Sequence, residues 1–155
     1  MNFRDMANLR WKQVIKDCVI YTRLKTGKMM QFKLLAPALE ILEKYKRSSN
    51  GEKDGFAFPI LNKSEHTTPQ QISNRINRVL RGVNASLKEL AQAAKVPVHL
   101  TTYVARHTYA TVLKQSGIST GVISEALGHK GEKITQTYLK SFGSEVIDEA
   151  NNFLL

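Results

Sequence analysis

The spacing of hydrophobic and polar residues predicts one small sheet near the start of the chain. Residues 18–24 and 29–34 are two short runs rich in β-branched, aromatic and aliphatic side chains, which is typical of strands. Thr26 and Gly27 stand between these runs and form a turn signal, so the pair is predicted to be a β-hairpin. A short helix is predicted ahead of the hairpin, over residues 5–9.

Most of the remaining chain repeats its apolar residues at helical spacing. Pro37 suits the first turn of one helix, Thr68 and Pro69 open another, and a separate helical pattern resumes after Gly82. A loop is predicted over residues 48–55. Further helices are predicted over residues 103–116, 119–127, 132–140 and 145–154. The predicted fold class is therefore mainly α with a small antiparallel β-sheet near the N-terminus.

The charge of the chain suggests a polyanionic partner. Its 155 residues fit one domain and include 23 lysines and arginines against 13 acids, a net charge of +10. A protein this basic is a candidate for binding nucleic acid. No apolar run is long enough to span a membrane and no signal peptide opens the chain, while the single Cys18 fits a reducing compartment. We therefore expect a cytoplasmic protein without a membrane partner.

Two kinds of cofactor chemistry find no support in the sequence. The four histidines and one cysteine show no metal-ligand spacing. No glycine-rich loop is present that could hold the phosphates of a nucleotide. We therefore expect no metal ion and no cofactor.

Three residues near the C-terminal end combine the side chains that metal-free phosphoryl transfer needs. They are Arg106 in TTYVARHTYAT, His129 in ALGHK and Tyr138 in ITQTYLKSF. A tyrosine hydroxyl can attack a phosphodiester, a guanidinium can hold two of its oxygens, and an imidazole can donate to the charge that builds up. Each residue also has an ordinary interpretation: an ion-paired arginine, a histidine capping a helix that ends at Gly128, and a core tyrosine.

The order and spacing of the three residues resemble the catalytic domain of the tyrosine recombinases, the phage-type integrases. His129 follows Arg106 by 23 positions and Tyr138 follows His129 by nine. The resemblance implies that Tyr138 is the nucleophile, that Arg106 and His129 hold the phosphoryl oxygens, and that no metal or ATP is used. It also implies a general acid on the hairpin, a position that Lys25 matches better than Lys28.

Two positions depart from the family pattern. The first catalytic arginine of the family aligns with Asn2, and Arg4 stands two residues later. Since a helix would turn Arg4 about 200° away from position 2, Arg4 can replace that arginine only if the segment is extended. Tyr103 occupies the usual histidine position, three residues before Arg106, where a phenol can still donate a hydrogen bond to a phosphate oxygen.

The resemblance runs over residues 1–155 and implies a DNA-cutting enzyme of a bacterial, phage or other mobile element, associated with the nucleoid. The family's N-terminal core-binding domain is missing from this chain, so we expect a fragment that binds DNA weakly alone. The implied partners are double-stranded DNA and other recombinase protomers. The helix over residues 145–154 either packs on its own domain or docks in trans.

Three alternatives remain open. The first is a catalytically impaired DNA-binding domain of the same fold, which the departures at Asn2 and Tyr103 favour and the trio opposes. The second is a topoisomerase that nicks and closes DNA by the same chemistry. The third is a basic scaffold protein that does not act on DNA.

Overall fold

A computed structural model describes residues 1–48, 52–136 and 139. The chain divides into two compact units, Met1–Val104 and the part from Ala105 onwards. The described helices are α1 Phe3–Ala7, α2 Ala36–Ser48, α3 Pro69–Ala93, α4 Thr102–Gln115, α5 Thr120–Ala126 and α6 Glu132–Gln136. The strands are β1 Val14–Ile15, β2 Cys18–Thr22 and β3 Met29–Lys33. The expected fold class, mainly α with a small antiparallel sheet, is confirmed.

The sheet of the first unit is antiparallel, with the strand order β1-β2-β3. The predicted hairpin is present as β2 and β3, in which Val19 pairs with Phe32 and Tyr21 pairs with Met30. Strand β1 was not predicted, because two residues are too few to show an alternating pattern. Burial alternates along β2, as it does when only one face of a sheet is covered.

The covered face of this sheet forms the main core of the first unit. Val19, Tyr21 and Met30 pack with Leu42 from α2 and with apolar residues of the segments around Leu9 and Ala57. Backbone bonds join those two segments: the Trp11 N–H donates to the Gly55 carbonyl, and the Ala57 N–H donates to the Leu9 carbonyl. A second cluster consists of Ala7, Ile60, Leu61 and Ile76.

Helix α3 corrects the prediction of two helices separated at Gly82. It runs without interruption through Gly82 for 25 residues. Its start agrees with the sequence, since Thr68 caps it in a capping box with Gln71 and Pro69 is the first helical residue. A glycine inside a helix costs only about 1 kcal/mol relative to alanine, so hydrogen bonds on both sides can carry the helix across it.

The second unit is built around helices α4 and α5. Ala110, Ile123 and Leu127 form its buried cluster, and Leu113 and Leu139 pack against them. Gly117 ends α4 with a φ of +77°, as the sequence predicted. Its N–H bonds the Lys114 carbonyl, and the next N–H bonds the Leu113 carbonyl, which is the pattern of a Schellman motif.

Two predicted features lie outside the described residues: the last part of the helix over residues 132–140, apart from residue 139, and the helix over residues 145–154. Helix α6 covers the first part of the former. In the part of the chain that the structure describes, no helix is both long enough and apolar enough to cross a membrane.

Candidate active site

Arg106 and His129 come together in the second unit. Arg106 lies in α4, and its Nη2 donates to the carbonyl of Leu127, the residue that ends α5. The same Nη2 lies 3.2 Å from Nε2 of His129. Two residues 23 positions apart in the chain therefore share one polar contact.

The turn that follows α5 fixes the position of His129. Gly128 has a φ of +64°, the left-handed conformation that the sequence predicted for it. The Gly128 N–H donates to the Glu125 carbonyl at 2.8 Å, and the His129 N–H donates to the Ser124 carbonyl at 3.0 Å. These two bonds form a second Schellman motif. They hold the backbone of His129 at the helix end, where its side chain is only 8% exposed.

Thr135 completes this arrangement and was not predicted. Its Oγ1 lies 2.8 Å from Nδ1 of His129. Thr135 belongs to α6, and its side chain is fully buried. Both ring nitrogens of His129 therefore have a polar neighbour: Arg106 at Nε2 and Thr135 at Nδ1. A single threonine six residues after a histidine forms no recognisable pattern, so the sequence offered no signal for this contact.

Lys25, the predicted general acid, lies in the turn between β2 and β3. The Arg23 N–H donates to the Lys28 carbonyl at 2.9 Å, and the Gly27 N–H donates to the Arg23 carbonyl at 2.8 Å. Gly27 has a φ of +69°, which confirms the predicted turn glycine. Within this bonded turn, the Lys25 side chain is exposed to solvent.

A buried carboxylate supports the Lys25 turn from α1. Asp5 is only 3% exposed, and its Oδ1 accepts from the Leu24 N–H at 3.0 Å. Its Oδ2 lies 3.9 Å from Nε of Arg23, which is also buried. This contact was not predicted. Asp5 follows Asn2 by three residues and could have been identified as part of a helix N-terminus, but nothing linked it to the hairpin.

Arg4 does not meet the condition set for it as a replacement for the missing arginine. That role required an extended segment, but Arg4 lies within α1 and is exposed. Asn2 has extended dihedral angles and caps the helix, accepting from the Asp5 N–H at 2.7 Å. The side chain at the family's arginine position thus serves as a helix cap.

Two predicted site residues remain, Tyr103 and Tyr138, and the structure describes only the first of them. Tyr103 lies in the first turn of α4 and is 50% exposed. Tyr138, the predicted nucleophile, lies outside the described residues. Arg4, Lys25 and Tyr103 belong to the first unit, and Arg106, His129 and Thr135 belong to the second.

The two predicted residues that meet in the described structure are an arginine and a histidine. Among all the described residues, no cluster of three or more His, Cys, Asp or Glu side chains is arranged to hold a metal ion. Arg106 supplies a guanidinium and His129 an imidazole, a pair that suits the stabilisation of a phosphoryl group as its charge builds up.

Comparisons with known proteins decide the family. The model of the phage integrase family matches residues 1–145. The chain belongs to the phage integrase family. The match includes both the hairpin with Lys25 and the segment from Arg106 to Tyr138.

Several tyrosine recombinases are similar to this phage integrase family member. The tyrosine recombinase XerC of Xanthomonas campestris pv. campestris is 27% identical over 140 residues, which cover 89% of this chain and 39% of the relative. A tyrosine recombinase of Agathobacter rectalis is 33% identical over 58 residues, or 37% of this chain and 19% of the relative. The chain thus spans less than half the length of these curated relatives.

A solved structure shows the same fold. The crystal structure of the XerA recombinase superposes on this chain with a TM-score of 0.68 at 18% sequence identity. The superposition covers 98% of this chain and 53% of the other.

Proposed function

We propose that the chain is the catalytic domain of a tyrosine recombinase that cuts and rejoins DNA through a 3′-phosphotyrosine. The observation that carries this proposal is the contact between Arg106 and His129, with Nη2 and Nε2 3.2 Å apart. It joins the two motifs that resemble the family's phosphate-binding residues. Membership of the phage integrase family supports the same conclusion.

In the proposed reaction, the hydroxyl oxygen of Tyr138 attacks a phosphodiester and forms a bond to phosphorus, and the phenol proton passes to water. The bond to the 5′ oxygen breaks, and Lys25 donates a proton to that leaving oxygen. Arg106 and His129 stabilise the charge on the non-bridging oxygens. The free 5′ hydroxyl of a second strand then attacks the phosphotyrosine and restores Tyr138. The phosphotyrosine conserves the bond energy, so neither metal nor ATP is needed.

Two departures from the family pattern lower the expected rate. Asn2 caps α1 where the family has an arginine, and Arg4 is helical. Loss of one transition-state donor typically costs about 10²–10³ in rate, or roughly 3–4 kcal/mol. Tyr103 stands at the usual histidine position and would donate a hydrogen bond to a phosphoryl oxygen. We propose a slower enzyme rather than an inactive one.

The proposed partners are double-stranded DNA and further protomers of the same protein. A net charge of +10 favours binding to a phosphate backbone. Exchange of strands between two duplexes requires more than one nucleophile, so several protomers would act together. Residues 145–154 would provide the contact between neighbouring protomers.

A second candidate function is a DNA-binding domain that keeps the fold without the chemistry. The helical position of Arg4 favours it, because a helix turns Arg4 about 200° away from position 2, where the resemblance places the family's arginine. This candidate and the enzyme differ in one observable, the covalent bond to DNA.

Covalent capture tests the proposal without knowledge of the target sequence. The protein is incubated with a pool of nicked DNA duplexes whose central segment is randomised, and bound DNA is recovered after denaturation in detergent. A nick lets the short leaving strand diffuse away, so that the phosphotyrosine accumulates. We expect a protein–DNA species that survives denaturation, and sequencing of its DNA gives the preferred site.

Two variants serve as controls for the capture. Tyr138→Phe lacks the nucleophile and should give no covalent species, while Tyr109→Phe removes an exposed hydroxyl of α4 and should leave the species intact. If Tyr138→Phe still forms the species, another residue is the nucleophile. If the unmodified protein binds the pool but forms none, the non-catalytic candidate is correct.

A further inference from the structure

Asn84 makes a contact that holds the start of α4. Its Oδ1 accepts from the backbone N–H of Thr102 at 2.9 Å, across 18 positions of the chain. Thr102 is the first residue of α4, and Asn84 lies inside α3. The bond lies within the first unit, where it ties the first turn of α4 to α3.

This bond satisfies a donor that the helix itself cannot satisfy. The first N–H groups of a helix have no acceptor within it, and a capping side chain just before the helix accepts from its second or third residue. The N–H of the first residue therefore needs an acceptor from elsewhere, which Asn84 supplies to Thr102. Asparagine is less favourable than alanine inside a helix. At position 84 its amide serves the neighbouring helix instead.

The connection between α3 and α4 buries little of its own surface. Residues 94–99 are all exposed, and Lys95 has a φ of +53°, a left-handed conformation that a lysine rarely adopts. The chain reverses here, since the Val96 N–H donates to the Ala91 carbonyl at the end of α3. An exposed connection restrains the helix that follows it only weakly. The bond from Thr102 to Asn84 therefore matters for where α4 begins.

Tyr103 depends on this bond because it follows Thr102 directly, in the first turn of α4. In the proposed function, its phenol donates a hydrogen bond to a phosphoryl oxygen. Its side chain is 50% exposed, so burial does little to set its direction. A donor stabilises a transition state best when it is oriented before charge builds up on the oxygen. The orientation of Tyr103 must then come largely from the backbone of the first turn.

We propose that Asn84 is a positioning residue, which orients Tyr103 for the phosphodiester by fixing the first turn of α4. This proposal rests on the proposed function, since it concerns the phosphate contact of Tyr103. The uncharged amide suits this place. A carboxylate could accept the same bond and would stabilise a helix N-terminus more strongly. It would also place a negative charge close to the bound phosphate, and like charges repel.

Amide hydrogen exchange measured by NMR tests the contact without DNA. We expect the Thr102 N–H to exchange slowly in the unmodified protein and about tenfold faster in Asn84→Ala, because its acceptor is lost. Asn77→Ala is the matched control, since it makes the same change at an exposed position of α3 about two turns earlier. It should leave the exchange of Thr102 unchanged. Equal exchange in Asn84→Ala and the unmodified protein would overturn the proposal.

A double-mutant cycle tests whether Asn84 acts through Tyr103. In single-turnover cleavage at saturating DNA, we expect Asn84→Ala to form the covalent species about 10-fold more slowly, a part of the roughly 10²–10³-fold that loss of one donor costs. In a Tyr103→Phe background the phenol is already absent, so adding Asn84→Ala should change the rate little. Equal slowing in both backgrounds would show that Asn84 serves the fold alone.

Asn84→Asp separates the acceptor from the charge. The carboxylate still accepts from Thr102, so slow exchange of this N–H and most of the cleavage rate at saturating DNA should remain. Its charge should weaken binding to the same duplex about fivefold at low salt, and the loss should shrink as added salt screens it. Unchanged DNA affinity at low salt would show that the phosphate lies far from this bond, against the proposal.

These tests separate failure of this inference from failure of the proposed function. A protein that never forms a covalent species disproves the enzyme and the positioning role with it, while the exchange of Thr102 still reports whether the bond is present. A protein that cuts DNA but shows no coupling between Asn84 and Tyr103 disproves the positioning role alone. Thermal unfolding of each variant shows whether a lost rate reflects a lost fold.

Discussion

The turn that carries Lys25 and the turn that carries His129 differ in how far they restrict the side chain. In both, a glycine with positive φ and short backbone bonds fix the main chain. The side chain of His129 is buried and held at both ring nitrogens, whereas that of Lys25 extends into solvent. The turn at Gly128 therefore holds both its backbone and the side chain of His129 in place. The turn at Gly27 fixes only its backbone and leaves the long side chain of Lys25 in solvent.

This difference matches the chemistry proposed for each residue. A group that stabilises charge on the phosphoryl oxygens must be oriented before that charge builds up, and buried contacts provide that orientation. A general acid that follows a leaving oxygen can be ordered by the substrate itself, because its ammonium is attracted to the phosphates. In the proposed mechanism, His129 is thus oriented before DNA arrives, and Lys25 is ordered by the DNA.

The largest expected effect belongs to the exposed turn. Lys25→Ala should slow covalent capture on nicked duplex by about 10²–10⁴-fold, because the leaving 5′ oxygen loses its proton donor. Lys28→Ala, on the other side of the same turn, is the matched control and should change the rate little. If Lys28→Ala is the slower variant, the acid has been assigned to the wrong lysine.

Replacing Arg106 tests the preorganised site. Arg106→Ala should lower the rate of cleavage by about 10²–10³-fold, or roughly 3–4 kcal/mol, since one stabilising donor is lost. Arg106→Lys should recover only part of this, because an ammonium cannot hold two oxygens side by side. Quantified capture under single-turnover conditions measures both variants. Full activity in Arg106→Lys would show that charge alone suffices.

The buried support beneath the exposed turn should be worth less. Asp5→Ala removes the acceptor of the Leu24 N–H and the carboxylate beside Arg23, and we expect a loss of about 2 kcal/mol in the free energy of unfolding. Denaturant titration measures it. Asp54→Asn, which removes the charge of an exposed pair with Lys12, should change stability little. An unchanged stability in Asp5→Ala would mean that the turn stands without this support.

The smallest effect should come from the glycine that positions His129. Gly128→Ala forces a Cβ into the left-handed region, which costs roughly 1–2 kcal/mol in the free energy of unfolding. Gly131→Ala is the matched control, since it lacks a positive φ and its added Cβ would contact nothing within 4 Å. Equal stabilities in the two variants would contradict the role given to Gly128.

The parts of the molecule that could be predicted from sequence are those governed by local rules. The hairpin, the ends of α4 and α5 and the positive φ of Gly128 follow from strand composition, caps and glycines close together in the chain. The break predicted at Gly82 was wrong, because the cost of one glycine is too small to interrupt α3.

The predicted site depended on motifs, and the contacts that support it could not be found in the same way. Arg106 and His129 were identified by family spacing, and the structure brings them together. Asp5 reaches across 19 positions to the Leu24 N–H, and Thr135 reaches back six to His129. Contacts of these two kinds depend on how elements pack, so neither residue stood out in the sequence.

Helix α5 also limits how the chain can vary in length. Its seven residues, between the cap at Ser119 and the turn at Gly128, set the direction in which His129 leaves the helix. One inserted residue would rotate that exit by about 100° and advance it by about 1.5 Å. Substitutions along the exposed face of α5 leave this register unchanged, whereas an insertion or deletion moves the imidazole away from the guanidinium. The length of this short helix is therefore under stricter constraint than its surface composition.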